Sequence, residues 1–445
     1  MKSQHNGVLL LVTVTCGVLA GLGAVALSLF LELVTHVLLN FTETAAHPAA
    51  LAVSPVRRVA VLVGGGLVAA ILWWWVRNRM RPTVSVKNAV HGQTMPGGTT
   101  VVHTFTQMLF VGAGGSVGRE LAPRELAAML AQWWQRVLVR WGLQLSAADQ
   151  HLIVAAAAGA GFAGVYIAPI TGMLFAVEIL LQRVSRRAVV VSLTMSVIAT
   201  FVGATLKGFK PYYLLASTPF SPRLAVALLA VGPVCGVVGA VFRRAIQWAA
   251  VRQAQRRPLL WQLPLAALAT GLIAIVFPQV CGNGRAFAQL VFDNRLTALV
   301  PLLLLGALVK ALVTLMSIAA GAAGGTLTPS IAVGAAVGAA VGTAINLWVT
   351  PVVVWQCAVV GAAAVLAVTQ QAPLMAMMMV FEVSHLSYAA LLPLALGIAL
   401  AMVVANWFTD TRTLPPETVG ETETADLLQS KGEALLAAIK HAADH

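Results

Sequence analysis

Residues 114–123 read Gly114-Gly115-Ser116-Val117-Gly118-Arg119-Glu120-Leu121-Ala122-Pro123, a glycine-rich turn that carries one carboxylate in apolar surroundings. An apolar run at 104–111 precedes the turn, and a helix-compatible run at 126–141 follows it. This order predicts that Glu120 lies where a new helix begins, at membrane depth. An ionisable residue at that depth is costly, so Glu120 is a candidate functional residue.

The composition is that of an integral membrane protein. Of the 445 residues, 59% are hydrophobic and 10% are charged, and the mean hydropathy is +0.87; soluble domains are about 25% charged. Long apolar runs recur at 7–39, 59–76, 189–206, 224–241, 259–277, 296–320, 331–349, 352–368 and 389–408. Each approaches or exceeds the roughly 20 residues that cross a bilayer as a helix. The sequence therefore predicts an all-α polytopic membrane protein.

The formal charge of +13 does not indicate nucleic-acid binding, because the basic residues form short groups between apolar runs. Arg77 and Arg79 follow the second run, and Arg183 and Arg187 lie between two later ones. Cytoplasmic segments carry such an excess. We therefore expect both termini in the cytoplasm. Residues 7–39 are too long for a cleaved signal peptide and should remain as a helix.

The chain also resembles itself. The segment Gly118-Arg119-Glu120-Leu121-Ala122-Pro123 has a counterpart in Gly324-Gly325-Thr326-Leu327-Thr328-Pro329. Likewise, Ala168-Pro169 is followed by Glu178 at the same distance at which Ala372-Pro373 is followed by Glu382. Pro329 lies 206 residues after Pro123, and Pro373 lies 204 residues after Pro169. Two matched features at nearly one offset indicate an internal repeat.

The paired glycine and proline interruptions predict broken helices of the kind that transporters use. A glycine turn with proline in the first helical turn starts a helix whose free N–H groups carry partial positive charge. Two such helix ends that meet at the bilayer midplane would hold an anion without a contacting lysine or arginine. The fold expected is therefore an inverted repeat with its broken helices meeting at the midplane.

These residues resemble motifs of the CLC family of chloride channels and proton-coupled chloride exchangers. Residues 118–123 resemble the family's GREGP gate motif, with Leu121-Ala122 in place of glycine-proline and a proline one position later. Residues 324–329 resemble its GGxFxP segment, with Leu327 in place of phenylalanine. The resemblance implies the CLC fold over residues 1–408, with repeat halves at approximately 84–206 and 287–408. It leaves 409–445 as a short polar cytoplasmic tail with a helix at 425–443, and no CBS domains are expected.

The resemblance also implies roles for single residues. Glu120 would be the gating glutamate, whose carboxylate competes with chloride when ionised and carries a proton when neutral. The amides of Thr326 and Leu327, with those near Arg119 and Glu120, would bind chloride. Ser85 would supply a chloride-binding hydroxyl, although Val84-Ser85-Val86-Lys87 departs from the family's GSGIP and a helix N-cap is the alternative. The helix-end motifs themselves comprise Gly118, Pro123, Gly324, Gly325 and Pro329.

Two further departures concern proton movement. The family's coordinating tyrosine has no equivalent in 408–416, and the exchangers' internal proton-transfer glutamate falls at Ile179. The neighbouring Glu178 is a possible proton route, but one step along a helix rotates a side chain by about 100°. A structural carboxylate is the alternative for Glu178. Arg119 and Arg124 either bias the potential toward anions or extend to the interface.

The function expected is proton-linked chloride exchange by a homodimer in the bacterial inner membrane, with one anion pathway per subunit. A passive chloride channel of the same fold, and a fluoride-selective relative, are the alternatives. An enzyme would need Glu120 and Glu178 as an acid/base pair, or His91 and His103 as metal ligands, in one pocket. The histidines lack a metal-site spacing, and the four scattered cysteines have no CxxC pair. We therefore expect no catalytic residues, no metal and no cofactor.

Overall fold

The computed structural model of the chain describes residues 2–216, 219–220, 223–293, 299–348 and 352–408. Over these ranges the secondary structure consists of helices and one isolated pair of bridged glycines. The helix expected at 425–443 lies outside the described residues.

Sixteen α-helices occur in the described ranges, and several are too short to cross a membrane. They are α1 (Lys2–Leu39), α2 (Pro55–Arg79), α3 (Val86–Val90), α4 (Gly97–Gly112), α5 (Leu121–Arg140), α6 (Ala147–Tyr166), α7 (Pro169–Leu174), α8 (Arg186–Lys207), α9 (Arg223–Val251), α10 (Arg256–Val276), α11 (Arg285–Phe292), α12 (Val300–Ala319), α13 (Leu327–Trp348), α14 (Val354–Gln370), α15 (Pro373–Val383) and α16 (Leu391–Phe408). A π-helical stretch, Phe175–Leu181, continues α7.

The predicted polytopic membrane architecture is confirmed. In the described part of the chain, eight helices are long and apolar enough to cross a membrane. The apolar run at 352–368 instead forms the 17-residue helix α14, which is too short for a simple span. Ser146 sets the start of α6, because its hydroxyl caps the helix by accepting a hydrogen bond from the amide of Asp149 (3.2 Å).

The helices form two halves with matching contacts. In the first half α1 packs on α8, α5 on α6, and α6 on α8; in the second half α9 packs on α16, α13 on α14, and α14 on α16. Contacts between the halves join α2 to α10 and α7 to α15. The inverted repeat is thus confirmed as the fold. Its limits at 84–206 and 287–408 stay predictions, and the pairing of α1 with α8 reaches beyond them.

One face of the molecule, here named the basic face, carries Arg79, Arg140 and Arg187 at or near the ends of helices. Gln132 of α5 donates to the carbonyl oxygen of Gln93, in the segment that follows α2 and α3 (2.8 Å). Arg187 pairs with Asp149 in the first turn of α6 (2.8 Å). Because only residues 141–146 separate α5 from α6, these contacts place the end of α5 and the starts of α6 and α8 on one side, with the segment that follows α2 and α3 against α5.

Close packing sets the start of α5. A Cβ atom added to Gly161 of α6 would lie 2.2 Å from the carbonyl oxygen of Pro123. Only glycine allows the two helix backbones to approach so closely, as is common between membrane helices. The first turn of α5, and Glu120 before it, are therefore held by α6.

Candidate functional site

The two glycine turns of the repeat meet and pair through their backbones. The amide of Gly118 donates to the carbonyl oxygen of Gly325 (2.6 Å), and the amide of Gly325 donates to that of Gly118 (2.8 Å). This antiparallel bridge lies just before α5 in one half and just before α13 in the other. The N-termini of α5 and α13, with their unpaired amides, therefore lie side by side.

The carboxylate of Glu120 lies between these helix ends and is fully buried. Its Oε1 atom accepts a hydrogen bond from the amide of Leu327, the first residue of α13 (2.6 Å). Its Oε2 atom accepts longer hydrogen bonds from the hydroxyls of Tyr166 (3.4 Å) and Thr328 (3.5 Å). The carboxylate thus occupies the place where the positive end of α13 would bind an anion.

The backbone of Glu120 is fixed separately from its side chain. Arg124 donates from Nε to the carbonyl oxygen of Glu120 (2.9 Å), and its guanidinium lies over the ring of Phe175, 4.7 Å from the centroid. The side chain has one short hydrogen bond and two long ones. The turn and the carboxylate of Glu120 are thus held by different contacts.

Polar side chains at the start of α13 fix the other half of the site. Gln370 donates to the hydroxyl of Thr326 (3.1 Å), and Ser330 donates to the carbonyl oxygen of the same residue (2.8 Å). The hydroxyl of Thr369 donates to that of Ser330 (3.0 Å). These hydrogen bonds hold the hydroxyl and the carbonyl oxygen of Thr326 in place at the turn before α13.

In the described contacts, the Ser85 hydroxyl bonds at the start of its own helix and not to the Glu120 carboxylate. Its hydroxyl caps α3 by accepting from the amide of Asn88 (3.2 Å), which is the N-cap interpretation. The structure nevertheless brings α3 against α5, α6 and the π-helical stretch. The chloride-binding role of Ser85 stays a prediction.

A cavity of about 280 Å³, here named the vestibule, opens beside the site. It is lined by four basic side chains, by two carboxylates and by two tyrosines: Arg119, Lys207, Lys210, Arg285, Glu32, Glu43, Tyr166 and Tyr212. Tyr166 lines the cavity and also donates to Glu120, so it connects the vestibule with the Glu120 carboxylate. The excess of basic groups makes the vestibule attractive to anions.

Glu43 holds two of the vestibule arginines. Its carboxylate lies 2.5 Å from the guanidinium of Arg285 and 3.5 Å from that of Arg119. Burial alone would raise the pKa of Glu43, but the charges of Arg119 and Arg285 hold it below its usual value. The two arginines therefore favour the ionised form of Glu43.

Arg119 does not extend to an interface. It is 7% exposed, and its guanidinium lies over the rings of Tyr166 and Tyr212, at 5.7 and 5.1 Å from their centroids. A guanidinium held by aromatic faces and a carboxylate is a fixed positive charge. Of the two interpretations of Arg119, this geometry favours the bias toward anions.

The Ala-Pro-to-Glu features of the two halves meet in a reciprocal cap. Glu178 accepts from the amides of Leu374 (3.1 Å) and Met375 (2.7 Å), at the start of α15. Glu382 accepts from the amides of Ile170 (2.9 Å) and Thr171 (2.7 Å), at the start of α7. Each glutamate thus satisfies the helix end of the other half. This bonding favours the structural alternative for Glu178, and its role in a proton route stays a prediction.

Three residues of the site have little individual signal in the sequence. Tyr166 directly precedes the helix break at 167–169, which is the one local hint of its importance. Glu43 lies in what reads as a connecting loop, and Arg285 lies in what reads as a turn. Their meeting depends on contacts across more than 200 residues of sequence.

The groups that an enzyme would need lie apart. Glu120 binds the start of α13, whereas Glu178 binds the start of α15. His91 contacts the carbonyl oxygen of Lys87 (2.7 Å), and His103 accepts from the indole of Trp73 (3.2 Å). Among the described residues, no group of three or more His, Cys, Asp and Glu side chains is placed to hold a metal.

Comparison with known proteins agrees with this geometry. The model of the family described as “Voltage gated chloride channel” matches residues 65–406. The voltage-gated ClC-type chloride channel ClcB of Salmonella typhimurium is 30% identical over 418 residues, which cover 89% of this chain and 94% of the relative. A putative chloride channel protein ClcB-like of Ralstonia nicotianae is 30% identical over 313 residues, or 69% of this chain and 72% of that protein.

Solved structures share the fold. A slow cyanobacterial Cl⁻/H⁺ antiporter matches with a TM-score of 0.75 at 19% identity, over 95% of this chain and 98% of that one. A CLC-type fluoride/proton antiporter matches with a TM-score of 0.63 at 22% identity, over 90% of this chain and 95% of that one. At these identities the likeness concerns the architecture.

Proposed function

Because the chain belongs to the voltage-gated chloride channel family, the CLC family, we propose that it moves chloride across the membrane in exchange for protons, with Glu120 as the gate. One observation carries the proposal. The Glu120 carboxylate is buried and accepts a hydrogen bond from the backbone amide of Leu327 at the start of α13 (2.6 Å). An anionic side chain thus occupies an anion site that the fold builds from helix ends.

The exchange follows from competition for this position. The ionised carboxylate and chloride are both anions, so the helix ends hold one or the other. When the carboxylate takes up a proton, it loses its charge and most of its attraction to the helix dipoles. Chloride then enters, and the neutral side chain carries its proton away from the helix ends. Return of the ionised side chain displaces the chloride.

The vestibule supplies the route by which chloride approaches. Lys207 and Lys210 line its wall, and the guanidinium groups of Arg119 and Arg285 lie over the ring of Tyr212. In the proposed pathway chloride passes Tyr166 and binds the amides of Thr326 and Leu327 with those near Arg119 and Glu120. Ser85 would add a hydroxyl from the opposite side.

A passive chloride channel of the same fold is the second candidate. Ile179 occupies the position that the CLC resemblance gives to the internal proton-transfer glutamate, and Glu178 is engaged as a cap for α15. A channel needs the Glu120 gate but no proton route beyond it. A fluoride-selective transporter is a weaker candidate, supported by the departure around Ser85.

A homodimer would cover the exposed side of the reciprocal cap. Glu178 and Glu382 are half-buried, and their neighbours Leu374 and Ile170 are 52% and 38% exposed. Carboxylates at a lipid-facing surface near the midplane would be costly. A second copy that covers this face would remove them from lipid. The basic face would lie in the cytoplasm, with both termini, and the membrane would be the bacterial inner membrane.

Purified protein in liposomes tests the exchange. Chloride flux and internal pH are recorded together after an outward or inward chloride gradient is imposed without a proton gradient. Exchange predicts that chloride drives protons in the opposite direction, to a pH difference that reverses when the gradient is reversed. Chloride flux with no proton movement would instead establish the passive channel.

A further inference from the structure

A second buried polar cluster lies between α2, α4 and α5, away from the vestibule. Gln107 donates to Oε2 of Glu125 (2.7 Å), and Nε2 of His103 lies 3.7 Å from the same oxygen. The indole of Trp73 donates to Nδ1 of His103 (3.2 Å). Glu125 is 5% exposed and His103 2%, while Gln107 and Trp73 are fully buried.

The cluster fixes the protonation of its histidine. An indole N–H can only donate, so Nδ1 of His103 is the acceptor and its proton lies on Nε2, toward Glu125. His103 and Gln107 are four residues apart and share one face of α4. Two neutral donors are thus aimed at one carboxylate. Unlike Glu178 and Glu382, Glu125 accepts no helix-end amide in the described contacts, so its burial has no capping role.

The position of the cluster is between the gate and the basic face. Glu125 lies five residues after Glu120 in α5, about 7.5 Å along the axis toward Arg140. Trp73 lies six residues before Arg79, where α2 ends. The charged groups that act on the pair are Arg77 of α2, on His103, and Arg124 of α5, on Glu125. The cluster therefore lies on the side that the topology assigns to the cytoplasm.

We propose that Glu125 holds the transported proton on the cytoplasmic side of Glu120, and that His103 and Gln107 position it. This inference rests on the proposed proton exchange. It gives Glu125, on α5, the role that the CLC resemblance assigns to residue 179. The carboxylate accepts a proton from a hydronium ion on the cytoplasmic side, which leaves water.

The proton then passes to the gate. The acid form of Glu125 gives its proton to the ionised Glu120 through a bridging water or after an inward swing of the Glu120 side chain, so that Glu125 regains its charge as Glu120 loses its own. Gln107 serves both states of Glu125. Its Nε2 donates to the carboxylate, and its Oε1, which is buried without a hydrogen-bond partner, is available to accept from the acid after rotation of the amide.

The test compares proton and chloride flux for wild type, Glu125→Gln and Glu125→Asp in liposomes. In Glu125→Gln we expect proton flux to fall at least about tenfold while chloride flux stays within about twofold, since proton transfer by a positioned group contributes factors of this size. Glu125→Asp keeps an acid and should restore part of the proton flux. Glu382→Gln, which changes a carboxylate that caps the start of α7, is the matched control, and its coupling should equal that of wild type.

The outcomes separate the two proposals. Uncoupled chloride flux in the wild type would refute the exchange function and this role with it. Coupling in wild type and equal coupling in Glu125→Gln would refute the role of Glu125 alone. A parallel loss of both fluxes in Glu125→Gln and Glu125→Asp would mean that Glu125 only stabilises the fold, and it would also refute the proposal.

Discussion

In the proposed exchange the carboxylate of Glu120 competes with chloride for the helix ends, and a single substitution tests this. Glutamine keeps the size of the side chain but has neither a charge nor a titratable proton. We expect Glu120→Gln to conduct chloride at rates that no longer depend on pH, since the helix ends are no longer claimed by an anionic side chain. Chloride flux between pH 4.5 and 7.5 is the measurement.

The control for this prediction is Glu43→Gln in the vestibule. Burial would raise the pKa of Glu43, but the charges of Arg119 and Arg285 hold it below its usual value, so this carboxylate favours its ionised form. Glu43→Gln should therefore retain the pH response of wild type. If the pH response survives in Glu120→Gln but disappears in Glu43→Gln, Glu43 is the gate and the assignment to Glu120 is wrong.

Gly325 tests whether the carboxylate and chloride share one position. A Cβ atom there would lie 2.2 Å from Oε1 of Glu120 and 2.3 Å from its carboxyl carbon. A methyl group would fill the space at the start of α13, and both anions would be excluded. We expect Gly325→Ala to lower chloride flux at least about tenfold, as misplacement by about 1 Å can in a site built by position.

The matched control is Gly64→Ala in α2, where an added Cβ would meet nothing within 4 Å. It should transport chloride like wild type. Faster chloride flux in Gly325→Ala would show that the methyl group displaces the carboxylate alone, and it would separate the resting place of Glu120 from the chloride site.

At the scale of helices, the reciprocal cap joins α7 and α15. Loss of the negative charge at a partly buried helix start costs about 1 kcal/mol. We expect Glu178→Gln and Glu382→Gln each to lower the thermal unfolding temperature in detergent, with shifts of similar size in the two variants. Proton coupling should be unchanged in both. Loss of proton flux in Glu178→Gln at an unchanged unfolding temperature would reinstate Glu178 as a proton carrier.

The helix starts were the most predictable part of the molecule. Pro123, Pro169, Pro329 and Pro373 mark them because proline fits the first helical turn and cannot continue a preceding helix. The position of Glu120 before α5 and the role of α13 as its counterpart followed from the same local chemistry. Helix lengths were less predictable, since the polar first turn of α6 and the brevity of α14 depend on their surroundings.

The vestibule and the buried cluster on α4 and α5 were not predictable in this way. Glu43 meets Arg285 only because the loop after α1 and the start of α11 reach one cavity. His103 meets Glu125 because α4 packs against α5 with these two side chains facing each other. A sequence pattern of period 3.6 places residues on a helix face but does not name the helix opposite. Long-range packing decides such pairs.

For the whole molecule, the half-buried carboxylates of the reciprocal cap, Glu178 after α7 and Glu382 on α15, predict a dimer. Light scattering in detergent should give a protein mass of twice the 46.4 kDa of one chain. Leu374, which is 52% exposed beside Glu178, should lie in the interface. We expect Leu374→Trp to shift the protein toward the monomer, because the larger ring does not fit a packed interface.

Leu304 of α12 supplies the matched control, since it is 47% exposed on a different helix. Leu304→Trp should keep the dimer mass. A monomeric wild type, or equal dimer content in both variants, would contradict the proposed interface and leave lipid as the cover of α7 and α15.

The hydrogen bonds of Glu120 and Glu178 with helix starts in the second half have a consequence for biosynthesis. A ribosome that has completed α8 has delivered Glu120 and Glu178 to the membrane, yet the amides of Leu327 and Met375 that receive them have not been translated. The nascent first half therefore carries two unsatisfied carboxylates until their partners, 207 residues after Glu120 and 197 residues after Glu178, are inserted. We expect chains truncated after α8 to be recognised and degraded by membrane quality control, whereas chains that extend through α15 should resist proteolysis.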